Sequence, residues 1–295
     1  MNNVIDGKET SKKIKQELKE KIKSQNIFSS LAVVQIGNNA SSNIYVRNKK
    51  SVCEELGIAF KLIKFDEAIA QDLVIIEINK LNNDPLINGI IVQLPLPKGF
   101  NEGEIINTII PIKDVDGLTY TNVGNLSLEN ECLVSCTPLG VMALLKNYQV
   151  NLTSKNVVIV GRSNLVGKPL IQLLLKENAT VTICHSKSKN IKNFTKNADV
   201  LIVAAGHPNL ITKEMVKEKV IVIDVGITRE NDLICGDVDY SSVSKKAALI
   251  TPVPGGVGPM TVTMLMKNVV KAYEFQNQKL KKRNKEVLQN YEEQF

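Results

Sequence analysis

A tyrosine and a lysine that share one predicted helix face are well suited to acid–base chemistry. Tyr45 and Lys49 lie four residues apart in the segment 41–56, whose apolar spacing predicts a helix. A tyrosine ring can stack on a planar substrate, while a lysine side chain can transfer protons. The same pair would also fit the exposed side of an amphipathic helix, and the spacing alone leaves both interpretations open.

Three further polar residues lie where ligand groups are common. Gln93 is near the carboxyl end of the apolar strand predicted over 89–94, and open α/β sheets place ligand groups at that edge. Asp114 and Asp116 flank a valine in a predicted turn, and turn formation alone would explain both carboxylates. These residues are therefore candidates whose side-chain direction the sequence does not give.

A glycine-containing loop after an apolar strand predicts a dinucleotide site. Gly161-Arg-Ser-Asn-Leu-Val-Gly167 follows the predicted strand 157–160 and opens a predicted helix. A pyrophosphate binds at such a helix N-terminus. Ser163 replaces the second glycine of the usual G-x-G-x-x-G fingerprint, and the last glycine is one position late. A tight strand–helix turn without a ligand is the alternative interpretation.

The residues after the next predicted strand favour NADP over NAD. NAD sites usually place an acid there to bind the ribose 2′-OH. Here the segment reads His185-Ser186-Lys187-Ser188-Lys189, which contains no acid. Arg162, in the glycine loop, carries a guanidinium that can bind a 2′-phosphate through two hydrogen bonds. The sequence therefore predicts an NADP site.

A rigid loop precedes the last long predicted helix. The segment Thr251–Thr261 contains three prolines and three glycines, which exclude a helix interior or a central strand. Free N–H groups at the start of the next helix suit a polar or anionic ligand. A plain connector between domains is the alternative.

The elements that must position these residues alternate between strand and helix. Predicted strands cover 31–36, 60–65, 89–94, 157–160, 180–184, 200–204, 220–225 and 248–250. This alternation predicts right-handed βαβ units, parallel sheets and an α/β protein of two domains. We expect a first domain of residues 1–117 plus 262–295 and a second domain of residues 118–261. The helix after Pro259 would return to the first domain.

Composition excludes several classes of protein. Hydrophobic residues make up 43% and charged residues 23%, as in globular proteins. No apolar run is long enough for a membrane span, and the first residues lack the pattern of a signal peptide. The five scattered cysteines and two histidines match no metal-site spacing and predict reduced thiols in a cytoplasmic protein.

The net charge of +7 raises the question of nucleic-acid binding. Basic and acidic residues are interleaved along the chain, and no recognisable nucleic-acid-binding module is present. The dense basic block at 279–285 lies in a polar tail, where a solvated helix face is the expected explanation. A polyanionic small substrate would use the same positive field.

Together these motifs resemble the bifunctional methylenetetrahydrofolate dehydrogenase/methenyltetrahydrofolate cyclohydrolase family. The resemblance extends from Ile5 to the helix after Pro259. The motifs that carry it are Tyr45-Val-Arg-Asn-Lys49, Gly89-Ile-Ile-Val-Gln-Leu-Pro-Leu-Pro97, Lys113-Asp-Val-Asp-Gly117, Cys136-Thr-Pro138, Gly161–Gly167, Asp224-Val-Gly-Ile227 and Thr251–Thr261.

The resemblance implies an N-terminal α/β catalytic domain, a Rossmann-like NADP-binding domain and a homodimer without nucleic-acid, membrane or metal partners. It implies NADP-dependent oxidation of 5,10-methylenetetrahydrofolate to the methenyl form, followed by hydrolysis to 10-formyltetrahydrofolate. Lys49 would be the essential catalytic residue, tuned by Gln93. Tyr45 would stack on the folate, and Asp116 would bind its pterin. The implied folate-pocket residues are Pro254, Gly255 and Gly258, and the implied cofactor contacts are Gly161, Arg162, Ser163, Ser186 and Ile227.

The sequence is also compatible with other functions. The chain would also fit an NADP-dependent dehydrogenase of another substrate, or a family member that has lost one of its two activities. A basic nucleic-acid-binding protein is the more distant alternative. Salt-dependent binding to DNA or RNA without NADP binding would identify that class.

Overall fold

Helices and strands alternate along most of the chain. The computed structural model describes residues 3–230 and 233–292, without the side chains of residues 229, 230, 233 and 281–292. The helices are α1 (Gly7–Ser24), α2 (Ala40–Leu56), α3 (Gln71–Asn83), α4 (Glu102–Thr108), α5 (Tyr120–Ser127), α6 (Cys136–Asn147), α7 (Gly167–Lys176), α8 (Ile191–Thr195), α9 (Tyr240–Val243) and α10 (Gly258–Glu292). The strands are β1 (Ser30–Ile36), β2 (Ala59–Phe65), β3 (Gly89–Val92), β4 (Asn156–Val160), β5 (Thr180–Cys184), β6 (Val200–Val203), β7 (Ile221–Asp224), β8 (Thr228–Glu230), β9 (Leu233–Cys235) and β10 (Leu249–Ile250).

Each of the two larger sheets belongs to its own compact unit. The three-stranded unit comprises Glu17–Gly124 and Leu265–Phe295, and the five-stranded unit comprises Met1–Gln16 and Asn125–Met264. The domains predicted from the sequence, 1–117 plus 262–295 and 118–261, stay a prediction. The compact units differ from that division mainly in their treatment of the first residues of the chain.

The three-stranded unit has a parallel sheet in the order β2-β1-β3. All seven residues of β1 are buried, because the central strand is covered on both faces, and five of the seven are apolar. In contrast, β2 is an edge strand with partly exposed residues. A core between the sheet, α3 and α4 includes Ala32, Val34, Ile78, Leu81, Ile90 and Ile105. This core holds the carboxyl ends of β1 and β3 side by side.

The middle of α10 packs within the three-stranded unit, as predicted for the helix after Pro259. Asn268 donates from Nδ2 to the Val115 carbonyl at 2.8 Å, and Gln276 Nε2 donates to the Asn88 carbonyl at 2.8 Å. The helix continues to Glu292, because residues 260–292 contain neither glycine nor proline. Among the described residues, no helix is both long and apolar enough to span a membrane.

The five-stranded unit has a parallel sheet in the order β10-β7-β6-β4-β5. The chain runs from β4 to β5 on one side and then crosses to β6 on the other side of β4. The strand order therefore reverses between β4 and β6, which is where doubly wound sheets bind their ligands. This is the Rossmann-like architecture that the sequence predicts.

Two helices and a hairpin have no counterpart in the sequence prediction. The helices α5 and α6 lie in the segment after Gly117, where polar and turn residues obscure the helical period. Pro138 occupies the first turn of α6, where a proline is tolerated because its missing N–H needs no helical partner. The strands β8 and β9 pair antiparallel, with Thr228 opposite Cys235.

Candidate active site and cofactor site

In the three-stranded unit, Lys49 and Gln93 come into direct contact. Lys49 Nζ donates a hydrogen bond of 2.6 Å to Gln93 Oε1, and each residue is only 8% exposed. The Gln93 amide is oriented by its own Nε2, which donates to the Leu94 carbonyl at 2.6 Å. A buried ammonium needs such an acceptor to offset its loss of water. The contact places a proton-carrying group at the carboxyl edge of the sheet.

The helix α2 explains why Lys49 is buried although lysines usually face solvent. The helix begins at an Asn39 cap, whose side chain accepts the Ser42 N–H at 3.1 Å. The buried residues of α2 are Ser42, Val46, Lys49, Cys53 and Leu56. Lys49 thus occupies a position of the buried face that helical spacing would give to an apolar residue. Tyr45, one turn earlier, is 46% exposed, so its ring is accessible for stacking.

The two acids of the predicted turn have different surroundings. Asp114 is buried, and its Oδ2 accepts hydrogen bonds from Thr119 N at 2.8 Å and Asn122 Nδ2 at 2.9 Å. Turn formation therefore accounts for Asp114. Asp116 is only partly buried, and the buried Val115 between them packs on Gly89, where a Cβ would lie 2.6 Å from the valine. The packing of Val115 therefore fixes the backbone of the turn next to Asp116.

A second buried lysine in this unit supports the fold. Lys113 Nζ donates to the carbonyls of Leu81 at 3.0 Å and Asp84 at 2.7 Å, at the C-terminal end of α3. Burial lowers the pKa of Lys113, and the Asp84 carboxylate opposes that shift. The Lys113 ammonium adds a further donor to these helix-end carbonyls, because Leu81 O also accepts the Asp84 N–H and Asp84 O the Ile87 N–H. The sequence motif contained this lysine but gave no sign of its role.

In the five-stranded unit, the loop between β4 and α7 has the geometry of a phosphate-binding turn. Gly161 has φ of 134°, and a Cβ there would collide with the Ala204 carbonyl oxygen. The loop residues 162–165 are exposed, and Gly167 begins α7 against the Gly161 carbonyl. Ser163 Oγ accepts the Val166 N–H at 3.1 Å. The serine therefore shapes this turn, although the standard fingerprint has glycine there.

The turn after β5 fits a 2′-phosphate rather than a free ribose hydroxyl. His185 N donates to Ser188 Oγ at 3.0 Å, and Lys187 N donates to His185 Nδ1 at 3.1 Å. This bonding leaves Ser186 and Lys187 exposed, and Arg162 in the glycine loop is exposed as well. Hydroxyl, ammonium and guanidinium groups are suitable donors for a phosphate. The residues present thus fit NADP.

The proline- and glycine-rich loop brings two further predicted residues together. A Cβ on Gly258 would lie 3.7 Å from Cδ1 of Ile227, and Ile227 is 52% exposed. Pro254 follows a cis peptide bond, and the Gly255 carbonyl accepts the Gly7 N–H at 3.0 Å. A residue predicted to contact the cofactor and residues predicted to contact folate therefore share one surface of this unit.

The first residues of the chain belong to this loop region, which the sequence analysis missed. Ile5 N donates to the Ile250 carbonyl at 2.8 Å, continuing the sheet beyond β10. A Cβ on Gly7 would collide with the Gly256 carbonyl, so only glycine fits there. Asp6 caps α1 by accepting the N–H groups of Lys8 at 2.8 Å and Glu9 at 3.0 Å. Asp6-Gly-Lys-Glu9 has the spacing of a helix cap, whereas nothing in the local sequence indicates the loop that contacts Gly7.

In the described part of the chain, no cluster of three or more histidine, cysteine, aspartate or glutamate side chains could hold a metal ion. The five cysteines are thiols, and four of them are buried. Burial raises the pKa of Cys53 to about 12, with a smaller contribution from the Glu54 carboxylate. This thiol therefore stays protonated and unreactive near neutral pH.

Comparison with known proteins gives matches over most of the chain. Residues 5–116 match the catalytic domain of the tetrahydrofolate dehydrogenase/cyclohydrolase family, and residues 135–277 match its NAD(P)-binding domain. The "Bifunctional protein FolD" of Agathobacter rectalis is 50% identical over 277 residues, which are 92% of this chain and 99% of that protein.

Solved structures agree with this match. The bifunctional methylenetetrahydrofolate dehydrogenase/cyclohydrolase of Campylobacter jejuni is 50% identical with a TM-score of 0.91, over 92% of this chain and 99% of that one. The Trypanosoma brucei methylenetetrahydrofolate dehydrogenase-cyclohydrolase, solved with NADP and an inhibitor, is 35% identical with a TM-score of 0.88. That match covers 92% of this chain and 97% of the other.

Proposed function

Because the chain belongs to the tetrahydrofolate dehydrogenase/cyclohydrolase family, we infer that it is a bifunctional enzyme of folate one-carbon metabolism. It oxidises 5,10-methylenetetrahydrofolate to 5,10-methenyltetrahydrofolate with NADP and hydrolyses the product to 10-formyltetrahydrofolate. The observation that carries this inference is the match of both family domains together with close relatives over most of the chain. The contact between Lys49 and Gln93 supplies the proton-transfer group that the hydrolysis needs.

We propose that Lys49 moves protons in the hydrolysis. Water attacks the methenyl carbon, loses a proton, and the ring opens at one carbon–nitrogen bond to leave the formyl group. The Lys49 side chain is held at one position by its bond to Gln93 Oε1. A fixed general acid–base group within reach of the water lowers the barrier for these transfers. Gln93 therefore acts by orienting Lys49.

Substrate binding would use further residues that the family resemblance implies. Tyr45 offers an exposed ring for stacking on the planar part of the folate. Asp116 offers a carboxylate that can accept hydrogen bonds from the pterin. Pro254, Gly255 and Gly258 would provide a rigid wall without bulky side chains, and glycine allows a ligand to approach the backbone closely.

We propose that the cofactor is held by the loops at the carboxyl edge of the five-stranded sheet. Bound NADP supplies the hydride acceptor for the oxidation. Gly161 and Ser163 would shape the turn beside the pyrophosphate, while Arg162 and Ser186 would bind the 2′-phosphate. Ile227 would contact the cofactor with its exposed side chain. Support for these roles comes from the exposure of the loop and from the absence of an acid in residues 185–190.

A coupled spectrophotometric assay tests the proposed function. We expect the protein to reduce NADP with 5,10-methylenetetrahydrofolate and, in a separate assay, to hydrolyse added methenyltetrahydrofolate. NADP reduction with persistent methenyl absorbance would show that the chain has lost the hydrolase activity. The absence of both reactions in folded protein would refute the proposed function.

We also propose that the enzyme is a cytoplasmic homodimer that supplies formyl groups for purine biosynthesis. The five cysteine thiols are typical of a reducing compartment. Light scattering coupled to size-exclusion chromatography tests the assembly, because a chain of 32.5 kDa should elute with twice that mass as a dimer. A monomeric mass over the working concentration range would contradict this proposal.

A further inference from the structure

Two buried aspartates lie beneath the carboxyl edge of the five-stranded sheet. Asp224 is the last residue of β7, and Asp237 lies just after β9. Both are almost completely buried. Lone buried carboxylates are costly, so their partners indicate what they do.

Asp237 binds the loop that follows β6. Its Oδ2 accepts the N–H of Ala205 at 2.6 Å and the N–H of Gly206 at 2.9 Å. Its Oδ1 is buried and has no hydrogen-bond partner among the described residues. A single carboxylate oxygen therefore fixes two successive amides of that loop.

Asp224 holds Asp237 and the next loop in place. Its Oδ1 accepts the N–H groups of Gly226 and Asp237, each at 3.0 Å, and its Oδ2 accepts the Val238 N–H at 3.0 Å. Its own N–H donates to Thr251 Oγ1 at 2.7 Å, at the start of the proline- and glycine-rich loop. Both oxygens of Asp224 are thus used as acceptors.

The neighbouring glycines leave room for this pair. A Cβ on Gly226 would collide with the Asp237 carboxylate, and a Cβ on Gly236 would collide with Asp224 Oδ2. Gly226 belongs to the segment that precedes Ile227, whereas Gly236 directly precedes Asp237. The backbone of both segments therefore packs directly on the carboxylates.

The loop that Asp237 binds lies at the switch point of the sheet. The Ala204 N–H donates to the Val160 carbonyl at 2.7 Å, and the Ala204 carbonyl is packed against Gly161. Arg162 and Ser186 would bind the adenosine half of NADP on the β5 side of the switch point. The other half must then extend over β6 and β7.

We propose that Asp237 is a positioning residue for the nicotinamide half of the cofactor, because its carboxylate fixes the loop 204–206 beside Gly161. This inference rests on the proposed NADP-dependent oxidation. Asp237 does not touch the reacting atoms; it acts through Ala205 and Gly206. Asp224 supports it by fixing the backbone of Asp237 and of Gly226.

The test compares Asp237→Leu, Asp237→Ser and Asp237→Asn with the wild type. Leucine fills a similar volume without an acceptor, and the serine hydroxyl is too short to replace the carboxylate. Asparagine keeps an oxygen for the two amides, and its NH₂ group would occupy the site of Oδ1, toward which no described donor points. Each variant is measured for binding of NADP and of 2′,5′-ADP, the adenosine half of the cofactor, and for hydrolysis of added methenyltetrahydrofolate.

We expect leucine and serine to raise the Kd for NADP about tenfold or more, since two buried amides lose their acceptor. The Kd for 2′,5′-ADP and the hydrolysis rate should stay within about threefold of the wild type, and asparagine should bind NADP almost normally. Hydrogen exchange at Ala205 and Gly206 should accelerate in the leucine variant while the amides of β6 stay protected.

Three results in nucleotide binding would overturn the proposal. These are wild-type NADP affinity in both the leucine and serine variants, equal weakening of NADP and 2′,5′-ADP, or an asparagine variant as impaired as leucine. Loss of hydrolysis together with NADP binding in both the leucine and serine variants would also overturn it, since Asp237 would then support the whole fold. The nucleotide-binding comparison needs no turnover, so it remains decisive even if the wild type fails the coupled assay.

Discussion

At the scale of single residues, the hydrogen bond from Lys49 Nζ to Gln93 Oε1 fixes the position of the proposed proton-transfer group. Lys49 and Gln93 were both candidates, but their hydrogen bond joins residues from different elements. No spacing rule relates positions so far apart in sequence. The turn acids show the same limit, because only the structure reveals that Asp114 binds Thr119 and Asn122. The sequence had left both acids as candidates.

Replacing Lys49 by methionine should abolish most hydrolysis of methenyltetrahydrofolate. Methionine keeps an unbranched side chain but cannot transfer a proton, so we expect a loss of at least about 100-fold in kcat. Lys50→Met is the matched control, because Lys50 is exposed and should give near-normal rates. NADP binding, measured by titration, should change little in either variant. Comparable hydrolysis by the Lys49 and Lys50 variants would remove Lys49 from the mechanism.

Replacing Arg162 by alanine should weaken NADP far more than NAD. A lost charge-assisted bond to the 2′-phosphate predicts a rise of about tenfold or more in KM for NADP. The KM for NAD should change little, since NAD lacks that phosphate. Lys176→Ala, at the other end of α7, removes the same charge and serves as the control. Equal losses for both cofactors would show that the 2′-phosphate is bound elsewhere.

At the scale of elements, the pattern of apolar residues predicts the strands of both parallel sheets. Turn-forming residues predict where most of these strands end. The segments without a clear period are the ones that the sequence analysis missed. These include α5 and α6, which follow a turn-rich stretch, and the short hairpin of β8 and β9. Asp237 was missed for the same reason, since it lies in a loop after that hairpin and belongs to no recognisable motif. Its role depends on the tertiary position of the loop after β6.

The buried aspartates also predict how stability depends on pH. Burial raises the pKa of Asp224 from its ordinary value of 3.8 to about 7; bonds from three N–H groups oppose this shift, and the charge of Asp237 adds to it. Since the folded protein holds this proton more tightly than the unfolded chain, stability from Asp224 is lost as pH rises from about 4 to about 7. Titration of this single carboxyl group changes the free energy of unfolding by at most about 1.4 kcal/mol per pH unit.

Denaturant unfolding of the wild type and Asp224→Asn at pH 5, 6, 7 and 8 checks this expectation. At pH 5 the variant should be less stable than the wild type, because its NH₂ group must face a backbone donor that the carboxyl group accepted. Its free energy of unfolding should nevertheless fall less steeply between pH 5 and pH 7. Parallel curves for the two proteins would contradict the assignment of this titration to Asp224.

At the scale of the whole molecule, the order of the elements along the chain differs from their grouping in space. The sequence predicted a discontinuous first domain, and the return of the last helix is confirmed by the contacts of Asn268 and Gln276. It did not predict that residues 3–7 would join the five-stranded unit. That pairing depends on two hydrogen bonds of Ile250, whose carbonyl accepts the Ile5 N–H and whose N–H donates to the Asn3 carbonyl. Local patterns near these residues do not reveal them.

Removing residues 1–7 should therefore impair the five-stranded unit. We expect a lower melting temperature and weaker NADP binding, because the deletion removes the partner of Ile250 and the contact between Gly7 and Gly255. Gly7→Ala is a smaller change that adds one methyl group against the Gly256 carbonyl, and it should affect stability in the same direction. Thermal unfolding with and without NADP measures both effects. Wild-type behaviour of the truncated protein would refute this role for the first residues.

The parallel bridge between Val4 and Ile250 has a consequence for synthesis of the protein on the ribosome. The segment around Val4 is made long before β10, the strand with which it pairs. Until β10 emerges, the first residues have no sheet partner, and the five-stranded unit cannot close. Contacts of such long sequence separation slow folding, so the nascent chain must avoid aggregation until β10 has been translated.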